Sequence, residues 1–212
     1  MTSVHELLLL LVVLTDFWVL GTSRLSSAIR TTAIQGALLA ALPVALYPHL
    51  SVHIVTLALG TFAVKAVVLP RLLARAIREA AVRREVEPLI GFNTSLALGA
   101  AAVALAFGMA PRLPLPGLHS EMLVPVALST VMIGLILLTT RGKAITQVIG
   151  YLVVENGIYV FGLSQAQRVP FLVEVGVLLD VFAGVFVMGI VLFQINREFQ
   201  SLDADQLSEL RD

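Results

Sequence analysis

Apolar residues fill seven long stretches of the chain, about residues 4–21, 28–47, 50–70, 89–110, 121–140, 144–163 and 170–194. A helix of about 20 predominantly apolar residues crosses a bilayer core of about 30 Å, so each stretch reads as a transmembrane span. Polar or proline-bearing breaks divide them: Arg24 to Arg30, Pro48-His49, Arg71 to Pro88, Pro111 to Gly117, Arg141-Gly142-Lys143 and Ser164 to Pro170. The pattern predicts an all-α, polytopic membrane helix bundle with about seven transmembrane helices. The first span is expected to stay in place and not to be cleaved as a signal peptide. No Lys or Arg precedes it, and Asp16 and Trp18 stand where a small-residue cleavage site belongs.

Composition sharpens this picture. With 58% hydrophobic and 13% charged residues, against about 45–50% and 25% in soluble domains, the chain does not read as a soluble enzyme or a nucleic-acid binder. The absence of Cys excludes disulfides, thiolate-held iron–sulfur clusters and a Cys nucleophile. No quinone, nucleotide or metal motif is present, so no cofactor is expected, and any redox centre belongs to another subunit. The formal net charge is zero, yet the cations are not evenly spread. Loops one, three and five and the C-terminal tail hold Arg24, Arg30, Arg71, Arg75, Arg78, Arg83, Arg84, Arg141, Lys143, Arg197 and Arg211, whereas the opposite side holds only Arg112 and Arg168. Positively charged loops stay in the cytoplasm, which places the N-terminus outside and the C-terminus inside the cell's inner, cytoplasmic membrane. The His residues at 5, 49, 53 and 119 all fall near outer span ends. Only His49 and His53 share a spacing of one turn, and no acidic or thiolate ligand converges on them; they read as interfacial polar residues, and no metal site is expected.

The informative positions are the ionisable residues inside spans, which cost several kcal/mol if unpaired and by default mark pathways or pairs. They are Asp16, Lys65, Glu155 and Asp180. From a rise of 1.5 Å per residue, Glu155 lies about 17 Å and Asp180 about 15 Å into antiparallel neighbouring spans, both near the midplane. Lys65 and Asp16 lie roughly 18–23 Å from the outer face and share a depth on the cytoplasmic side of it. Two ordinary readings of this second pair stand beside a functional one: a buried Asp16–Lys65 salt bridge, or a Lys65 that snorkels to the headgroups. Glu155 is too short to snorkel from mid-span.

Around Glu155, the neighbours Asn156 and Gly157 are poor helix formers. They predict a local break, tolerated in a membrane where protein or water satisfies the backbone. Tyr151 and Tyr159 lie four residues to either side of Glu155 and extend a polar stripe. The plainer alternative is a packing face in which Gly150, Gly157 and Gly162 permit close helix approach. In low dielectric the charged form of a carboxyl is disfavoured, and a nearby cation restores it. A mid-membrane carboxyl with a Lys in reach is therefore switched between holding and releasing a proton by small movements of charge, as a proton relay requires.

The run from Gln147 to Gly157 (QVIGYLVVENG), the run from Leu172 to Gly176 (LVEVG), Asp180 and the tail from Leu202 to Arg211 resemble hydrogenase-4 component E. So do Ser23-Arg24-Leu25-Ser26 and the segment from Phe62 to Lys65 leading to Leu69-Pro70. That family supplies membrane-arm subunits of formate-hydrogenlyase-type and related energy-converting hydrogenase complexes. The last three spans are also similar to the K subunit of respiratory complex I and the C subunit of multisubunit sodium/proton antiporters. The resemblance implies a membrane part over 1–120 with a cytoplasmic Arg-rich loop at 71–88, a K-like three-helix part over 121–200 and a tail at 201–212. It implies Asp180 at the position of the last-helix carboxylate. Glu155 departs from the K pattern, sitting three residues later, where this chain has Leu152; nearly one turn keeps it on the same face at another depth. The implied partners are antiporter-like membrane subunits and the bilayer, with proton or charge relay through Glu155, Asp180 and Lys65, supported by Asp16, Tyr151, Asn156 and Tyr159. No catalysis by this chain alone follows.

Other readings stay open. In one, the charges are structural glue in an assembly subunit; in another, the chain serves a sodium/proton antiporter without a redox partner. Ala28 to Lys65 and Ala144 to Asp180 have separations of 37 and 36 residues, the spacing of a parallel duplication, although the halves share little sequence. The stretch from Arg71 to Glu87, with Arg75 and Glu79 in i,i+4 register, reads as a solvated helical extension of span three. In the tail, Asp203 and Gln206 have the spacing of a helix start.

Overall fold

The computed structural model describes residues 3–47, 51–79, 89–113 and 120–165, with isolated positions at 182, 184, 185 and 189. All regular structure among the described residues is helical. In chain order the helices are α1 (Val4–Gly21), α2 (Leu25–Leu46), α3 (Val52–Thr61), α4 (Leu69–Glu79), α5 (Phe92–Met109), α6 (Leu123–Thr140) and α7 (Ala144–Gln165). A π-helical segment, Phe62–Val68, joins α3 to α4, so the three form one rod. Six helical units are long and apolar enough to cross a membrane: α1, α2, the α3–α4 rod over Val52–Arg78, α5 with its short 3-10 extension, α6 and α7. These are six of the seven expected spans. The seventh, with Asp180 and the tail, lies outside the described residues.

Local chemistry sets several boundaries. Ser3 opens α1, its N–H donating to Glu6 Oε2 at 3.0 Å, and Ser51 Oγ accepts from Ile54 N–H at the start of α3. Span two starts at Leu25, earlier than the charge pattern predicts, so Arg30 is helical and not part of a loop. Span three continues as α4 through Arg71, Arg75 and Arg78, in keeping with the helical extension expected there.

Helix α2 sits centrally and packs on α1, the α3–α4 rod and α7, while α6 and α7 form the most extensive helix pair. Glycine explains that pairing. A Cβ on Gly134 would stand 2.5 Å from Val154 N, one on Gly150 2.7 Å from Leu138 N, and one on Gly157 2.7 Å from Val131 N. The two backbones approach where these residues lack side chains, which is how helices associate in lipid without a hydrophobic drive. Gly150 and Gly157 are thus packing glycines, and α7 runs through Glu155-Asn156-Gly157 without the expected break. Close contact with α6 holds the helix together there. The irregular turn lies instead on the neighbouring rod, around Lys65.

The buried side chains divide into two apolar clusters with a polar layer between them. One cluster takes Val19 and Leu20 of α1, Ile29 of α2, Leu69 and Leu73 of α4, Ile133 and Leu137 of α6, and Ile145 to Val153 of α7. The other takes Leu9 and Val12, Leu39 and Leu42, Leu123 and Val126, and Tyr159 to Leu163. Each of α1, α2, α6 and α7 passes through both, and in the gap each presents polar residues: Asp16, Thr32 and Gln35, Ser129 and Thr130, Glu155 and Asn156. The rod adds Thr61 and Lys65. A second buried cation, Arg141, lies at the end of α6. Its Nη2 donates to Leu20 O at 2.6 Å, at the C-terminal end of α1, and its guanidinium lies 4.6 Å from the Phe92 ring centroid. There it satisfies a helix-end carbonyl and faces the negative end of the α1 dipole. Arg141 is therefore a packing element as well as one of the loop cations.

Candidate functional site

The polar layer is assembled by the α3–α4 rod, α2, α7, α1 and α6. Gly36 of α2 lets the rod come close: a Cβ there would lie 2.7 Å from the Lys65 carbonyl carbon and 2.8 Å from its Cβ and O. The π turn at the same level widens the helix, a distortion frequent at functional sites, and Lys65 is turned inward with 5% exposure. Snorkelling to the headgroups is thereby excluded as its role.

Lys65 Nζ forms a buried salt bridge with Glu155 Oε1, and Glu155 is 1% exposed. The same ammonium donates to Asn156 Oδ1 at 3.0 Å and lies 5.6 Å from the centroid of the Tyr159 ring, within cation–π range. The Tyr159 hydroxyl is 3.2 Å from Thr61 Oγ1, one turn before Lys65. From Asn156 the hydrogen bonds continue: Nδ2 donates to Gln35 Oε1 at 2.8 Å, and Gln35 Nε2 donates to Asp16 Oδ1 at 2.6 Å. Thr130 Oγ1 donates to Asp16 Oδ2 at 2.7 Å. The donors of the two amides all point from Lys65 toward Asp16. This is the orientation that a positive charge at one end and an acceptor carboxyl at the other select.

Lys65, Glu155, Asn156, Tyr159 and Asp16 thus share one connected layer, as the sequence led us to suspect for each separately. Two details differ. Lys65 pairs with Glu155 and not with Asp16, because two amides stand between Lys65 and the aspartate. Lys65 and Glu155 also meet through their side-chain ends, although a uniform rise along straight helices puts their backbones at different levels; the long lysine side chain spans the difference. Tyr151 is half-buried and packs against the first apolar cluster, away from the Tyr159 side of the site. Asp180 lies outside the described residues. Gln35, Thr130 and Thr61 were not anticipated. For Gln35 a signal was available, since an amide in an apolar run beside a Gly, at the depth of Asp16, is itself an exception. A narrow pocket reaches this layer between α2, the rod and α7, lined by Thr32, Lys65, Leu69, Pro70, Leu152, Glu155 and Asn156. Among the described residues no group of three His, Asp or Glu side chains is placed to hold a metal ion.

Six bilayer-length apolar helices closed around a buried ion pair define a multi-pass membrane protein. Comparison with known proteins narrows the class. The chain is 36% identical over 204 residues to the uncharacterized protein Rv0085 of Mycobacterium tuberculosis, covering 94% of this chain and 92% of that one. It is 30% identical over 156 residues to hydrogenase-4 component E of Escherichia coli K12, covering 72% of this chain and 71% of that protein. The component of the same name in Shigella flexneri matches to the same extent. The chain belongs to the hydrogenase-4 component E family. No family model matches it, and no solved structure does.

Proposed function

We propose that this chain is a membrane-arm subunit of an energy-converting, hydrogenase-type complex, in which the Lys65–Glu155 pair takes part in moving protons or charge. The observation that carries the reading is the closure of a lysine and a glutamate on each other in the middle of a transmembrane bundle, between two apolar clusters. Buried ion pairs are weak stabilisers, because desolvation offsets most of their attraction. Intramembrane ionisable residues are instead expected on ion pathways. A Lys–Glu contact in dry surroundings offers two near alternatives, the ion pair and the neutral pair, and a change of charge nearby shifts the proton between them. Amides do not themselves pass protons readily, so the Asn156–Gln35 bridge supports a different role: it ties the protonation of Asp16 to that of the Lys65 site.

In this reading Asp180, on the seventh span, supplies the second carboxylate. The part over 121–200 carries the complex I K-like function, and antiporter-like subunits lie on either side. The N-terminus faces outward and the C-terminus the cytoplasm, in the inner membrane. The support is the family relationship to a hydrogenase-4 component together with the cation asymmetry of the loops.

Glu155→Gln and Asp180→Asn each test the proposal. Expected is proton translocation into sealed vesicles abolished or uncoupled, a loss of at least about tenfold when normalised to the amount of assembled complex, as for a positioned proton-transfer group. A second reading, in which the layer only holds the arm together, draws on its dense hydrogen bonding from Thr130 to Lys65. It predicts the reverse: reduced complex on a native gel with undiminished pumping per complex.

A further inference from the structure

Between α1 and α2, on the side away from the polar layer, runs an open groove of about 670 Å³. Its walls at one end are Arg24, Arg30, Ser26 and Ser27. Along its length lie Leu11 and Leu14 of α1 and Ile34 and Leu38 of α2. Trp18 stands where the two zones meet, 63% exposed, with its Nε1–H donating to Ser27 Oγ at 3.0 Å. Charge and apolarity are thus arranged end to end in one cleft.

We propose that this groove binds an acidic phospholipid, with the phosphate held by Arg24 and Arg30 and the acyl chains lying along the leucine and isoleucine wall. Three observations lead there. First, Arg30 is exposed although it lies in the second turn of a bilayer-length helix, five residues or about 8 Å from its start. A guanidinium there reaches back along its own stem to the headgroup level, where an anion can meet it. Second, among the described residues no carboxylate lies within ion-pair distance of Arg24 or Arg30, so the anion must come from outside these helices. A phosphate suits it, since the planar guanidinium matches phosphate oxygens bidentately, and Ser26 lines the same end. Third, the groove continues from its charged end into an apolar trough that a soluble anion would leave empty and that lipid chains fill. A zwitterionic lipid brings a cation beside its phosphate, which two arginines repel; an acidic lipid does not. Basic pockets between helices at the cytoplasmic end of a bundle are sites of this kind.

Trp18 is the chain's single tryptophan and reports on the groove directly. The full chain is reconstituted in phosphatidylcholine vesicles containing increasing fractions of brominated phosphatidylglycerol, or of brominated phosphatidylcholine, and quenching of Trp18 is followed. The expected result is saturation at low mole fraction of brominated phosphatidylglycerol, with a preference over phosphatidylcholine on the order of tenfold. The preference is lost in Arg24→Gln/Arg30→Gln and largely kept in Arg24→Lys/Arg30→Lys, which retains the charge should the neutral pair fold poorly. Equal quenching by both lipids, an unchanged preference in the Gln pair, or protection of Trp18 from both lipids once partner subunits are bound would each overturn the proposal, the last by giving the groove to a protein.

Discussion

Replacing Lys65 with Met is expected to remove most of the folded protein from the membrane, and adding Glu155→Gln to the same chain is expected to bring it back. The single change leaves a carboxylate buried without its cation. Breaking a buried pair by removing one partner typically costs about 3–5 kcal/mol, whereas replacing both partners by uncharged groups of similar size is often neutral. Met fills much of the Lys65 volume beside Tyr159, and Gln occupies the Glu155 position while keeping a polar group for the site. Abundance in the membrane and thermal stability in detergent measure both variants. The account predicts a large loss in the single variant, a recovery of most of it in the double, and no proton movement by the double. A double variant as unstable as the single one would mean that the pair is not what the layer is built around.

The second large effect is expected at Gly36. A side chain there meets the backbone of Lys65 at 2.7–2.8 Å, and backbone in a packed rod has nowhere cheap to go. Gly36→Val should push the π segment away from α2, at a cost of about 1–3 kcal/mol for overpacking, and pull Lys65 out of register with Glu155. Gly60, on the same rod two residues before the π segment starts, has open space where a Cβ would go, so Gly60→Ala serves as the control and should be silent. Comparing melting temperatures and proton translocation per assembled complex for the two variants checks the claim. Equal behaviour would show that close approach at Gly36 does not hold the site.

The limits of the sequence are visible at particular residues. Apolar runs and mid-span charges are conspicuous in any membrane chain, because lipid tolerates few exceptions, and so six of the spans and the residues Asp16, Lys65, Glu155 and Asn156 were legible. Which charge meets which was not. Depth along a helix says nothing of rotation about its axis or of which neighbour it faces, and Asp16 and Glu155 were both at plausible distances from Lys65. The π turn was hidden because Phe62–Val68 is an ordinary apolar run apart from Lys65; it lies where the rod and α2 approach closely at Gly36, a tertiary contact that local sequence does not reveal. Gln35 escaped because a neutral amide is a weaker exception than a charge, although it proved to be the link between Asn156 and Asp16. At Gly157 a break and a packing face were both legible, and the second holds: a Cβ there would stand 2.7 Å from Val131 N of α6.

Two ordinary features become specific once seen together. The polar layer crosses five helical units, and apolar clusters flank it on both sides. Within it, the two amides are oriented by their neighbours, so Asp16 and Lys65 are linked through three hydrogen bonds and not through space alone. Coupling of this kind requires no large motion of the bundle.

The most direct measurement is infrared difference spectroscopy on the assembled complex, following the carboxyl of Glu155, identified by the band lost in Glu155→Gln, as the complex is energised and allowed to relax. The account predicts that Glu155 gains and gives up a proton reversibly with turnover. A glutamate that stays ionised beside Lys65 throughout, in a complex that is moving protons, would contradict it.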